Sequence, residues 1–323
     1  MGIFTLDFMI RALIAGALTG LMAPAVGTYI VQKKLSLLGD GLGHVAIAGV
    51  GLALLTSQAP VPIAVVLCVA GAVIIELLRM SGRASGDVGL AILFYGGLAF
   101  GVLMAGIAGK GAGTLSQYLF GSLTAVDNSD LVTVAVLSVI VMALSLGLSD
   151  QLFAVCADED FAKTQGLATK ALNILIVVMA AATVAVSMRT VGLLLVSALM
   201  VVPVATADNL VLGFKKGLFT SMAIGLVAAL SGVIGSYYLD SASGATIVVL
   251  AIILFIISLP ISAMMRKRRK PVTASDEPVF QRAEEHLNPG AEHNHPGLWH
   301  GDHVDYLHNG HRHAPHGDHF DEH

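Results

Sequence analysis

Long uncharged stretches alternate along the chain with short clusters of charge. Runs free of Asp, Glu, Lys and Arg cover residues 12–32, 41–75, 88–109, 131–149, 171–188, 190–207, 217–239 and 241–265. A helix needs about 20 apolar residues to cross roughly 30 Å of hydrocarbon, so each run predicts at least one membrane span. The 41–75 run is too long for one. Its middle, Ser57-Gln58-Ala59-Pro60-Val61-Pro62, reads as a loop, because two close prolines with polar neighbours interrupt a helix. Two spans there bring the expected total to nine, within a range of eight to ten. The short, glycine-flanked run 111–126 predicts a loop with a partial helix. The pattern is that of an all-α, polytopic membrane protein.

Composition divides the chain in two. Of its 323 residues 55% are hydrophobic and 12% charged, against about 25% charged in soluble domains. Residues 1–265 hold 12 acids and 11 bases, whereas the 58 residues 266–323 hold 10 acids, 7 bases and eleven of the twelve histidines. The reading is a transmembrane domain over 1–265 and a polar, histidine-rich tail over 266–323. Low apolar content and prolines predict that the tail is disordered. A disulfide scaffold is excluded, since Cys68 and Cys156 are the only cysteines. A net charge of −4 with dispersed bases argues against a nucleic-acid partner, and an ordinary soluble globule is excluded.

Lys and Arg in short loops mark the cytoplasmic side. Lys33-Lys34, Arg79 with Arg83, Lys163 with Lys170, Lys215-Lys216 and the basic run 266–270 follow alternate spans. This places the N-terminus outside, the 150–166 loop inside and the tail in the cytoplasm. Lys110 and Arg189 are exceptions. The first run is not expected to be a cleaved signal peptide, because Asp7 precedes it and no basic segment leads into it. The basic run 266–270 reads as the inner membrane surface.

The 35 glycines predict close helix packing, with Gly16, Gly20, Gly39, Gly43, Gly49, Gly51, Gly96 and Gly97 as examples. Among polar residues in the apolar body, Glu76 and Arg79 read as a structural ion pair. Asp208, with Lys215 and Lys216 nearby, reads as an interface residue, and Asp87 as a helix N-cap. Asp40 and His44 differ. They stand four apart in Leu38-Gly39-Asp40-Gly41-Leu42-Gly43-His44, on one helix face, and His44 is the only histidine outside the tail. Carboxylate and imidazole together suit a divalent transition metal. The alternative is structural, with Asp40 near the helix start and His44 bonded to a neighbouring carbonyl. Two ligands leave positions for water or other helices.

Four stretches taken together resemble the permease subunit of ABC importers for zinc, manganese and iron. They are Leu35-Ser36-Leu37-Leu38-Gly39-Asp40 followed by His44, the stretch 92–99 from Ile92 to Ala99, the stretch 117–123 from Gln117 to Leu123, and the stretch 191–207 from Val191 to Ala207. The likeness covers about residues 8–263 and stops at the tail. It implies that Asp40 and His44 form the intramembrane metal site, that two permease copies build the pathway, and that an extracytoplasmic metal-binding protein delivers the ion. It also implies a cytoplasmic ABC ATPase and a bacterial plasma-membrane location.

Asp158-Glu159-Asp160-Phe161-Ala162-Lys163-Thr164-Gln165-Gly166 starts with acids and gains bases, as a short helix compensating its dipole would. It resembles the coupling helix through which ABC permeases seat in their ATPase, placed near 157–168. Asp158, Glu159, Ala162 and Gly166 are its candidate contact residues, Ala162 and Gly166 offering a small-residue face; a solvated connector is the alternative. No segment has the spacing Gly-x-x-x-x-Gly-Lys-Ser/Thr, so ATP hydrolysis is expected on a separate subunit and the chain is not expected to be an enzyme.

In the tail, His293, His295, His300, His303, His311, His313, His316 and His319 alternate with Asp302, Asp305, Asp318 and Asp321. Histidine-rich tracts bind metals by composition alone; incidental affinity is the alternative. The resulting expectation is an importer subunit for divalent metal, zinc foremost and manganese or iron possible as cargo, with no permanently bound cofactor. The rival reading is an ion-coupled metal carrier or exporter with the tail as sensor.

Overall fold

The computed structural model describes residues 6–82, 86–109, 112–121, 127–189, 191–268, 297–300, 303–308, 311–316 and 319–322. The chain falls into two compact units, Met1–Ala263 and Met264–His323.

Helices run over α1 Asp7–Gln32, α2 Leu38–Thr56, α3 Pro60–Met80, α4 Gly86–Ile107, α5 Ala112–Phe120 and α6 Asn128–Gly147. They continue with α7 Ser149–Ala157, α8 Glu159–Thr164, α9 Thr169–Ser187, α10 Leu193–Leu210, α11 Phe214–Leu239 and α12 Ser243–Arg268. Among the described residues, eight helices (α1, α2, α3, α4, α6, α9, α11 and α12) are long and apolar enough to cross a membrane, and α10 carries a shorter apolar stretch, Leu195–Leu210. With α10 the count agrees with the uncharged runs. The partial helix expected within 111–126 is α5.

The expected 57–62 loop is shorter than its prolines suggested. Pro60 opens α3, where its fixed φ suits the first turn and its missing N–H costs nothing. Only Ser57, left-handed at φ 55°, and the two residues after it make the connection. Sequence also read 150–157 as loop, yet these residues lie in α7, with Leu152 and Val155 buried one turn apart.

Helix α2 is central: 78% of its apolar window is buried, against 22% for α4. It packs on α3, α4, α9 and α10, while α1 packs on α6, α9, α10 and α11. The glycine expectation holds at most of the named positions. A Cβ at Gly20 would lie 2.7 Å from that of Ala229, one at Gly49 2.5 Å from Ala64 Cα, and one at Gly51 2.5 Å from the Gly101 carbonyl. Gly96 differs, with nothing within 4 Å of an added Cβ.

Polar positions are also resolved by packing. Glu76 is buried and receives two hydrogen bonds from Arg79, at 2.6 and 2.9 Å, as the ion-pair reading expected. Lys215 pairs with Asp150 of α7 at 2.9 Å. The predicted capping by Asp87 lies outside the described side chains. Arg189, an exception to the charge pattern, forms a 2.9 Å ion pair with Asp130 of α6 and lies 5.6 Å from the Tyr118 ring centroid. Its charge is thus balanced inside the fold, which weakens its vote on topology.

In the second unit, β1 Gly297–His300, β2 His303–His308, β3 His311–His316 and β4 His319–Glu322 form an antiparallel sheet in sequence order.

Candidate functional site

Asp40 and His44 both lie in the first half of α2, one turn apart on one face, with His44 buried and Asp40 half-buried. Three glycines let other helices reach them. A Cβ at Gly39 would sit 2.9 Å from Ser197 Cβ, one at Gly43 2.9 Å from the Leu193 carbonyl, and one at Gly97 2.6 Å from the His44 carbonyl carbon. Helix α10 therefore closes on α2 from one side and α4 from another.

Ser197 of α10 donates its hydroxyl to Asp40 Oδ1. A hydrogen bond to a charged group is worth about 1.5–3 kcal/mol, enough to hold one carboxylate oxygen in place. The carboxylate keeps further acceptor capacity. The His44 side chain packs on Phe94 of α4, ring centroids 3.8 Å apart and tilted by 57°. His44 is 5% exposed, and its Nδ1 has no hydrogen-bond partner among the described residues. A buried imidazole nitrogen ordinarily finds a partner. The structural alternative raised from sequence, a bond to a neighbouring carbonyl, is not made by Nδ1.

Chemically this is a nitrogen lone pair and an oriented carboxylate separated by one helical turn. Among the described residues no group of three or more His, Cys, Asp or Glu comes together. A cation here would keep water or carbonyl ligands, which suits passage more than storage. Sequence reasoning missed Ser197, Phe94 and Gly97 as site residues. They belong to the stretches 191–207 and 92–99, so the segments that carried the family resemblance meet around Asp40 and His44. The stretch 117–123 joins them, since a Cβ at Gly192 would lie 2.5 Å from the Leu119 carbonyl.

The second candidate region is α8. Asp158 caps it, accepting from the Phe161 N–H at 2.9 Å. Glu159 and Asp160 occupy the first turn and Lys163 the last, at 3.0 Å from Asp160 and 3.6 Å from Glu159. The exposed Asp160 holds the Lys163 ammonium above the usual lysine range. Gly166 is in the left-handed region at φ 78°, its N–H bonded to the Lys163 carbonyl and that of Leu167 to the Ala162 carbonyl. That is the Schellman ending, which requires a residue without a Cβ penalty.

One sequence expectation fails here. Ala162 is fully buried within this chain, so Ala162 and Gly166 do not form a shared small-residue face for a partner. Helix α8 instead exposes Phe161, at 59%. The apolar stripe of so short a helix gave no sign of which residue turns inward.

Asn173 of α9 anchors α8 from within. Its Nδ2 donates to Glu159 Oε2 at 3.1 Å, and its Oδ1 accepts from Lys33 at the end of α1. Burial first, then the nearby Arg79 charge, pull the Lys33 ammonium below the usual lysine range.

Of the tail candidates, His300, His303, His311, His313, His316 and His319 lie on the strands, while His293 and His295 fall outside the described residues.

Comparison with known proteins agrees with this geometry. Residues 5–262 match the family described as ABC 3 transport family. The high-affinity zinc uptake system membrane protein ZnuB of Haemophilus influenzae is 27% identical over 253 residues, covering 78% of this chain and 97% of the relative. A probable iron transport system membrane protein of the same organism is 30% identical over 262 residues, covering 79% and 94%. Among solved structures, PsaBC from Streptococcus pneumoniae in complex with Fab superposes with a TM-score of 0.72 at 27% identity, covering 83% of this chain and 97% of that one. Relatives this similar carry different metals, so overall likeness does not select the cargo. The chain is an integral membrane protein of the ABC 3 transport family.

Proposed function

We propose that this chain is the membrane-spanning subunit of an importer for divalent metal ions, with zinc the expected cargo. The observation that carries the reading is His44: buried, one turn from Asp40, with Nδ1 unpartnered, where α2, α4 and α10 meet over glycine. An ion reaching this point exchanges part of its hydration for imidazole and carboxylate, whose charge offsets the desolvation. Imidazole with carboxylate accepts zinc, manganese or iron; the histidine-rich tail is what favours zinc.

Transport needs a power source and a donor. An ABC ATPase on the cytoplasmic side would engage α8 through the exposed Phe161, framed by Asp158, Glu159 and Asp160. A metal-binding protein outside would deliver the ion, and two copies of the chain would form the pathway. The tail would lie in the cytoplasm, meeting metal after translocation. The test is metal uptake into vesicles holding the assembled transporter. ATP-dependent uptake that stops when the ATPase nucleotide site is disabled, together with poor ATPase co-purification for Phe161→Asp, supports the reading. Uptake indifferent to ATP would return the chain to the ion-coupled carrier class.

A further inference from the structure

Thr183, Ser187, Thr206 and Ser236 each return their hydroxyl proton to a carbonyl of their own helix, at 2.7 to 2.9 Å. That is the usual arrangement for these side chains inside a helix. Ser197, within α10, does otherwise: its proton goes to Asp40 Oδ1, on a helix 157 positions away in sequence. The serine is buried, at 7% exposure. Gly39, next to Asp40, is what lets it come so close, since a Cβ there would lie 2.9 Å from Ser197 Cβ and 3.2 Å from its Cα. A side chain at position 39 would part α10 from α2 and break the bond.

The two groups of the site are thus placed by different helices, the imidazole by Phe94 of α4 and the carboxylate by Ser197 of α10. A free carboxylate can grip a cation with one oxygen or with both. With Oδ1 committed to the hydroxyl, Oδ2 is the oxygen left for an ion. This restriction does not weigh equally on all metals. Zinc is satisfied by few ligands and accepts nitrogen and oxygen together. Manganese binds a given nitrogen and oxygen set more weakly and depends on a fuller shell of hard oxygens, so it loses more when one oxygen is withheld.

We propose that Ser197 is a positioning residue that sets the metal preference of the Asp40–His44 pair, holding the carboxylate to one free oxygen and so favouring zinc over manganese. The inference rests on the reading of Asp40 and His44 as the ion's site and goes beyond it, because it assigns the choice of cargo to a hydroxyl that does not touch the ion. Ser197→Ala removes the donor without adding volume, so α10 keeps its approach to Gly39 while Oδ1 is released. Manganese then gains an oxygen that zinc needs less.

The test uses the full chain purified with its ATPase in detergent, without a donor protein, so that only the chain's own preference is read. Zinc and manganese binding are measured separately at equilibrium, and Asp40→Ala, which carries the same tail, supplies the blank for each metal. The manganese-to-zinc affinity ratio of the Asp40-dependent site is expected to rise about tenfold in Ser197→Ala, the order set by one hydrogen bond to a charged group. Thr206→Ala, which removes a buried hydroxyl of the same helix bonded to its own carbonyl, is expected to keep the native ratio. An unchanged ratio in Ser197→Ala, or an equal loss of both metals, would overturn the inference and leave the site standing. No Asp40-dependent metal in the native chain would overturn the site reading and this inference with it.

Discussion

Asn173 Nδ2 donates to the Glu159 carboxylate at 3.1 Å while its Oδ1 accepts from Lys33, so one amide ties α8 to α1. Lys33 ends the helix that leads directly into α2 and Asp40. A load placed on α8 by an ATPase therefore has a polar path towards the site. Asn173→Ala leaves a half-buried ammonium without its acceptor, a loss of about 1–3 kcal/mol. The ATPase is expected to co-purify with this variant while uptake per ATP hydrolysed falls several-fold. Unchanged coupling would show that α8 acts on the helices by another route.

Gly97 and Gly96 make a matched pair. A Cβ at Gly97 meets the His44 backbone at 2.6 Å, whereas one at Gly96 meets nothing within 4 Å. Overpacking typically costs about 1–3 kcal/mol. Gly97→Ala is expected to lower the melting temperature in detergent and Gly96→Ala to leave it unchanged. The same shift from both would place α4 differently against α2.

Arg189 and Asp130, 2.9 Å apart, have side chains only 17% and 10% exposed. Removing one member of such a pair strands the other charge, at a cost of about 3–5 kcal/mol. Arg189→Met is expected to destabilise the fold by that order, and Arg189→Met with Asp130→Asn to recover much of it. Additive losses in chemical denaturation would refute the pairing.

The helices were legible in sequence because lipid demands uncharged length, and Glu76–Arg79 because partners three apart on a helix must meet. Asp40 and His44 were legible for the same local reason. Ser197 was not, since it reaches Asp40 only when α10 packs on α2, and no spacing encodes that contact. The inward turn of Ala162 is likewise a tertiary outcome.

Cys156 gives a pH dependence. It lies on α7, and burial pushes its thiol from 9.0 up to about 11. The folded state thus favours the protonated form more than the unfolded state does. The associated stability is complete below about 9 and is lost as pH rises towards 11. Melting midpoints between pH 8 and 11 are expected to fall more steeply for the native chain than for Cys156→Ala. Parallel curves would mean that the thiol is not the group responsible.

The central claim is that the ion passes Asp40 and His44. It is tested most directly by the initial rate of zinc uptake at limiting metal, for the native transporter and for His44→Ala and Asp40→Ala, each matched for assembly with its ATPase. Both variants are expected to lose at least nine-tenths of the rate while inserting and assembling normally. Near-native uptake by either one would contradict the account.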